Sequence, residues 1–181
     1  MYLPNYKDGS IVNLMSSIEL ALGGKPKYKP LKILPPSELS KSKNIVLLVI
    51  DGLGYEYLIK QKKDTVFNKY KINKITSVFP ATTVAAITTF FTGDAPQQHA
   101  MTGWFMYLKE IGAISEILSF SHKDSHASLK KLIKPKKIFA QKGFSKKIKA
   151  RSYIVASRRI VNSDFSLAYN KKAKKSLMKT V

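Results

Sequence analysis

A chain of 181 residues, 44% of them hydrophobic, can bury one sizeable core, so one main domain is expected. The absence of cysteine excludes disulfides and thiolate metal sites. With 32 Lys and Arg against 11 Asp and Glu, the formal charge is +21, a field that attracts polyanions; the sequence shows no apolar run of membrane-spanning length and no signal-peptide pattern in MYLPNYKDGS, so a cytoplasmic protein without a membrane partner is expected.

In chain order, residues 1–42 come first. Ser10 can cap a helix whose apolar members Ile11, Leu14, Met15, Ile18, Ala21 and Leu22 keep a helical period, with Gly23 and Gly24 as the stop. Pro26, Pro30, Pro35 and Pro36 then predict an extended connector. Neither part carries recognisable chemistry.

Residues 43–170 read as an α/β domain with a mainly parallel sheet flanked by helices. The run Ile45, Val46, Leu47, Leu48, Val49, Ile50 is uninterrupted and rich in β-branched residues, the pattern of a central strand buried on both faces. Asp51 follows directly, at the strand end where open α/β sheets place ligands, and Gly52 and Gly54 let the backbone turn away beside it. Residues 55–70 predict an amphipathic crossover helix burying Tyr55, Leu58, Ile59, Val66, Phe67 and Tyr70, its lysines facing outward. A second short strand is expected over residues 74–79. Pro80 stops it, and Thr82 or Thr83 can cap a helix over residues 84–91. A hydroxyl would then stand at a helix N-terminus, which suits a phosphate or sulfate. Together with Asp51 it could hold a divalent cation, which would lower the hydroxyl's pKa and make it a nucleophile.

LLVIDGLG, FPATT and TGDAPQQHAMTGW, in this order and spacing, resemble the type I phosphodiesterase/nucleotide pyrophosphatase branch of the alkaline phosphatase superfamily, over roughly the N-terminal two thirds of the chain. The resemblance implies an alkaline phosphatase-like core. It makes Asp51 a metal ligand and Thr83 both nucleophile and metal ligand, with Thr82 as the alternative. It also places Thr92, Gly93, Pro96 and His99 in the family's Thr-Gly and Pro-x-x-His segments. The implied substrates are phosphate esters or nucleotides, and the implied cofactors two zinc ions. Sulfatases and cofactor-independent phosphoglycerate mutases share the logic of strand-end Asp and helix-capping hydroxyl, but the FPATT context fits phosphodiesterases better.

Beyond Gly93, His99 reads as hydrogen-bonded scaffolding rather than a ligand. Residues 103–107 form an aromatic cluster suited to a wall of the core or cleft, and Trp104 stands near the place where phosphodiesterase relatives often carry a phosphate-binding Asn. Residues 112–118 resemble another strand, with Ile114 and Ile117 as apolar members. His122, Asp124 and His126 have chelate-like spacing, but Lys123 among them opposes a cation, and a solvated loop is expected. From Ser121 onward 18 Lys or Arg face two acids, Asp124 and Asp164. Apolar residues persist around Ile154 and Phe165, so folded structure is expected as far as Asn170, with residues 171–181 a basic, disordered tail.

The resemblance further implies Asp-x-x-x-His and Asp-His-Gly ligand segments, and no stretch downstream of Thr83 matches either. One carboxylate and one hydroxyl fall short of a tight zinc site, which takes three or four protein ligands. The expectation is therefore a domain incomplete at its C-terminus, a truncated phosphohydrolase that is weakly active or inactive, with a complementary C-terminal chain as a possible partner. The alternative is a catalytically silent basic domain that binds nucleic acid, other polyanions or a complementary chain.

Overall fold

In the computed structural model, which describes residues 2–177, short helices and two small sheets surround one long-range helix pair. The first helix, α1 (Ile11–Ala21), starts where the sequence places it. The amide and hydroxyl of Ser10 both donate to Asn13 Oδ1, at 3.0 and 2.6 Å, and the chain leaves the helix through Gly23 in a left-handed conformation (φ 77°). Val12, Met15 and Ile18 are buried beneath it. The connector crosses the same helix in extended form. Leu31 is buried there, its amide donating to Asn13 O and to Ser17 Oγ, and one helical turn, α2 (Pro36–Leu39), follows.

The middle of the chain departs from expectation. Residues 44–50 take no regular secondary structure and, among the described residues, join no sheet, and Val46 and Leu48 are 88% and 73% exposed. The apolar pattern is that of a buried strand; no other strand of the described residues lies beside it to share its ladder. Residues 74–79 likewise yield one isolated parallel bridge, Ser10 to Thr76, rather than a strand. The continuous crossover helix over residues 55–70 is replaced by two single turns, α3 (Tyr55–Leu58) and α4 (Val66–Lys69). The interruption is local. Thr65 caps α4 by accepting from the Asn68 amide, while Asn68 Nδ2 donates to Leu58 O and Lys62 O, closing the intervening loop on itself.

The second long helix, α5 (Thr83–Thr92), packs on α1 and divides the core. Val84 enters a large cluster with Met101, Leu108, Ile117, Phe120, Leu129, Phe139, Phe165 and Tyr169, whereas Ala85 joins Val12, Val78 and Ala95 on the other side. One turn, α6 (Pro96–His99), leads to an antiparallel meander of β1 (Phe105–Leu108), β2 (Ala113–Glu116) and β3 (Ser121–His122). The single turn α7 (Pro135–Ile138) brings Phe139 into the large cluster. There the rings of Phe139 and Phe165 meet edge-on at 5.2 Å and 87°, and Phe165 meets Tyr169 at 5.2 Å.

Near the C-terminus β4 (Tyr153–Ala156) precedes α8 (Arg158–Val161) and α9 (Asp164–Tyr169), and pairs in parallel with β5 (Lys174–Leu177). Part of the stretch read as a disordered tail is thus a strand; residues 178–181 of that reading lie outside the described residues. The architecture is mixed α/β with small sheets, the three-stranded one antiparallel and the two-stranded one parallel. Among the described residues no helix is long and apolar enough to cross a membrane.

Candidate functional site

The structure brings Asp51 and Thr83 together across 32 residues of sequence: Thr83 Oγ1 donates to Asp51 Oδ2 at 3.1 Å. Asp51 reaches that place because the backbone reverses at Gly52 (φ 80°), a conformation costly for any residue with a Cβ. Thr83 reaches it as the first residue of α5.

The neighbouring threonine has a different task. Thr82 is the N-cap of α5: its Oγ1 accepts from the Ala85 amide at 3.3 Å and donates to Thr102 O at 3.1 Å. Both functions of that hydroxyl are occupied by scaffold. The first intrahelical bond of α5 is Ala86 N to Thr82 O, which leaves the amides of Thr83 and Val84 without intrahelical acceptors, at the positive end of the helix dipole. An open cleft of about 570 Å³ with a mainly apolar lining that includes Leu3, Tyr6, Phe79 and Thr102 is linked to this end only through Thr102, and neither Asp51 nor Thr83 lines it.

His99 stands apart from the Asp51–Thr83 pair. It is buried, its Nδ1 accepts from the Met101 amide at 3.0 Å, and its Nε2 lies 3.3 Å from Thr89 Oγ1. An accepting Nδ1 requires the proton on Nε2, so both ring nitrogens serve the scaffold. Burial lowers its pKa from 6.5 to about 4, against the pull of Asp94. Trp104 donates to Glu116 Oε1 at 3.1 Å, spending its indole N–H on β2. His122 Nδ1 accepts from the amides of Asp124 and Ser125, so the His122, Asp124, His126 stretch is a hydrogen-bonded surface turn.

Sequence reasoning missed the anchor at the other end of α5. Asp94 is buried and held by Lys27 and Lys147, each at 3.1 Å. Glu19, also buried, lies against Gly93, and burial raises its carboxyl pKa while Lys147 pulls it down. The available signal was an acid directly after Thr92 and Gly93. Thr92 Oγ1 accepts from the Asp94 amide, and Gly93 (φ 73°) ends the helix, so the Thr-Gly-Asp segment is a helix stop fixed by an ionic cluster.

A model of the family described as type I phosphodiesterase / nucleotide pyrophosphatase matches residues 45–174. The chain belongs to that family. No curated protein and no solved structure matches it.

The family's general activity is hydrolysis of phosphate diesters and nucleotide pyrophosphates, usually with divalent metals. Tested against that chemistry, Asp51 and Thr83 supply one carboxylate oxygen and one hydroxyl. Among the described residues no group of three or more His, Cys, Asp or Glu side chains is gathered to hold a metal ion. These donors do not make a zinc site by themselves.

Proposed function

We propose that this chain carries the nucleophile half of a phosphodiesterase-type active site, with Thr83 as nucleophile and Asp51 as the carboxylate that orients it. The 3.1 Å hydrogen bond between them is the observation that carries this reading. The proton of Thr83 lies toward Asp51, which leaves an oxygen lone pair for phosphorus. The Thr83 amide at the start of α5 and the helix dipole stabilise phosphoryl oxygens, while the Val84 amide lies in the core. Attack forms the Thr83 Oγ–P bond and breaks the P–O bond to the leaving group. The threonine proton passes to Asp51, and water then cleaves the phospho-threonine.

In the family's chemistry a divalent metal, zinc in the reading from sequence, would be held by Asp51 and Thr83. Two donors are too few to hold it tightly, and turnover by these residues alone is expected to be slow. The test uses bis(p-nitrophenyl) phosphate as substrate. Turnover should disappear in Thr83→Ala and persist in Thr82→Ala, and mass spectrometry should find the trapped phosphoryl group on Thr83. Equal turnover by wild type and Thr83→Ala overturns the assignment. Metal analysis of the purified chain should find zinc well below one equivalent; one equivalent that vanishes in Asp51→Ala would mean that further donors reach the site.

One observation favours a second reading, a basic module for anionic polymers. Lys149, Arg151, Lys172 and Lys174 line a cleft of about 170 Å³ beside the parallel strand pair. Under that reading nucleic-acid binding is salt-sensitive and unchanged in Thr83→Ala.

A further inference from the structure

We infer that the cleft of about 170 Å³ between residues 149–152 and residues 172–174 is a binding site for a short phosphoanhydride such as pyrophosphate, set apart from the Asp51–Thr83 pair. The inference is independent of the nucleophile reading; it shares the cleft with the second reading but assigns it a compact ligand in place of a polymer. Lys149, Arg151, Lys172 and Lys174 line this space, and among the described residues none of the four lies within ion-pair distance of a carboxylate. The backbone forces them together. The Lys149 amide donates to Leu22 O at 3.0 Å and its aliphatic stem lies against Gly23, which fixes one wall at the end of α1. The Lys174 amide donates to Ser152 O at 2.9 Å where β4 and β5 begin to pair, which brings up the other wall. Like charges held in this way repel one another, and a bound anion relieves the repulsion while the strands stay paired.

Size and lining select among anions. A space of about 170 Å³ is smaller than the roughly 300–1,000 Å³ of pockets that take drug-sized ligands, so a nucleotide would enter with its phosphates alone. Among the described residues no aromatic ring lines the cleft, whereas single-stranded nucleic acids are held by bases stacked on such rings. A single phosphate monoester carries about −1.5 to −2 charges, too few to balance four cations, and linked phosphoryl groups come closer. Arg151 offers a planar fork that takes two phosphoryl oxygens at once, and the lysines supply point charges around it. Ser152 also lines the cleft, and among the described residues neither its amide nor its hydroxyl has a hydrogen-bond partner. Because the lining residues precede or open the two parallel strands, the cleft lies at their amino ends, and neither Asp51 nor Thr83 lines it.

Calorimetric titration of the 181-residue chain with pyrophosphate, in metal-free buffer, tests this. One equivalent should bind. Arg151→Gln and Lys174→Gln should each weaken it roughly tenfold or more, whereas Lys62→Gln and Thr83→Ala should leave it unchanged. Inorganic phosphate should bind roughly tenfold more weakly than pyrophosphate. In hydrogen exchange pyrophosphate should slow the amides of β4 and β5, while those of α5 stay as in the free chain in wild type and variants alike. No binding at about 1 mM pyrophosphate overturns the proposal. A loss in Lys62→Gln equal to that in Arg151→Gln also overturns it, because the attraction is then a diffuse field. So does binding that vanishes in Thr83→Ala and survives both cleft variants, because the anion then sits at the nucleophile. Phosphate bound as tightly as pyrophosphate overturns the choice of ligand. Tighter binding of a polyuridine oligonucleotide, lost in the same two cleft variants, overturns it in favour of a polymer site; pyrophosphate binding without oligonucleotide binding upholds it and removes the polymer reading.

Discussion

Two regions of this molecule have the same kind of composition and opposite fates. Residues 44–75 and residues 76–170 are both rich in apolar side chains and lysines. The second region buries Phe120, Phe139, Phe165 and Tyr169 around α5, whereas the first leaves Val46, Leu48, Tyr70 and Ile72 each more than half exposed. The difference is one of closure. Around α5, chain segments far apart in sequence meet on several sides, so ring after ring finds a partner. In the first region, among the described residues, the strand-like segment meets no second strand, and Asp51 is its main tie to α5. Apolar pattern specifies that a surface should be buried; it does not supply the surface that buries it.

This contrast can be broken or sharpened by measurement. The largest effect is expected at the centre of the aromatic cluster, where Phe165→Ala should destabilise the fold by about 4 kcal/mol in denaturant unfolding. Next comes the buried imidazole. His99 resists protonation down to about pH 4 in the fold but takes a proton near 6.5 when unfolded, so its contribution is intact above pH 6.5 and lost as the pH falls toward 4. That window is worth roughly 3 kcal/mol. His99→Gln should abolish this acid-side slope in a melting-temperature profile and expose the opposite one from Glu19, whose raised pKa removes stability as the pH climbs above 4.5. Thr82→Ala removes the cap of α5 and should cost about 1 kcal/mol in the same unfolding assay. Val46→Ser should change the stability of the isolated chain by less than about 0.5 kcal/mol, because the side chain it removes is solvated. A cost above about 1.5 kcal/mol for Val46→Ser would show that the first region is packed in solution, and the contrast would collapse.

How far the sequence could be read follows the same line. The start of α1 and the segment from Pro80 to Thr83 were legible because caps and stops are written in a few adjacent residues: Ser10 with Asn13, and Thr82 with Ala85. The meeting of Asp51 with Thr83 was anticipated from a sheet that the described residues do not form, and the contact is present nonetheless. Strand direction was not legible. Residues 113–116 look the same whether their neighbour runs parallel or antiparallel, and it is the short turn through Gly112 that makes the pairing with β1 antiparallel. The break between α3 and α4 was hidden because it depends on one side chain, Asn68, reaching back to carbonyls ten and six residues earlier. The cluster of Glu19, Lys27, Asp94 and Lys147 draws on four separate segments, and no local pattern announces it.

The base of the first region has a further consequence. The Thr76 amide donates to Gly9 O and the Ile11 amide to Thr76 O, the Phe79 amide donates to the Tyr6 hydroxyl, and α1 lies on α5. Between α2 and Thr76 the polypeptide touches this body through the Asp51–Thr83 and Tyr2–Glu56 hydrogen bonds, whereas Thr76 and the start of α1 are tied by bonds that do not run through the intervening residues. Trypsin should nick first among Lys60, Lys62 and Lys63, and the two resulting pieces should still co-elute as one particle, since here the covalent thread is not what holds the body together.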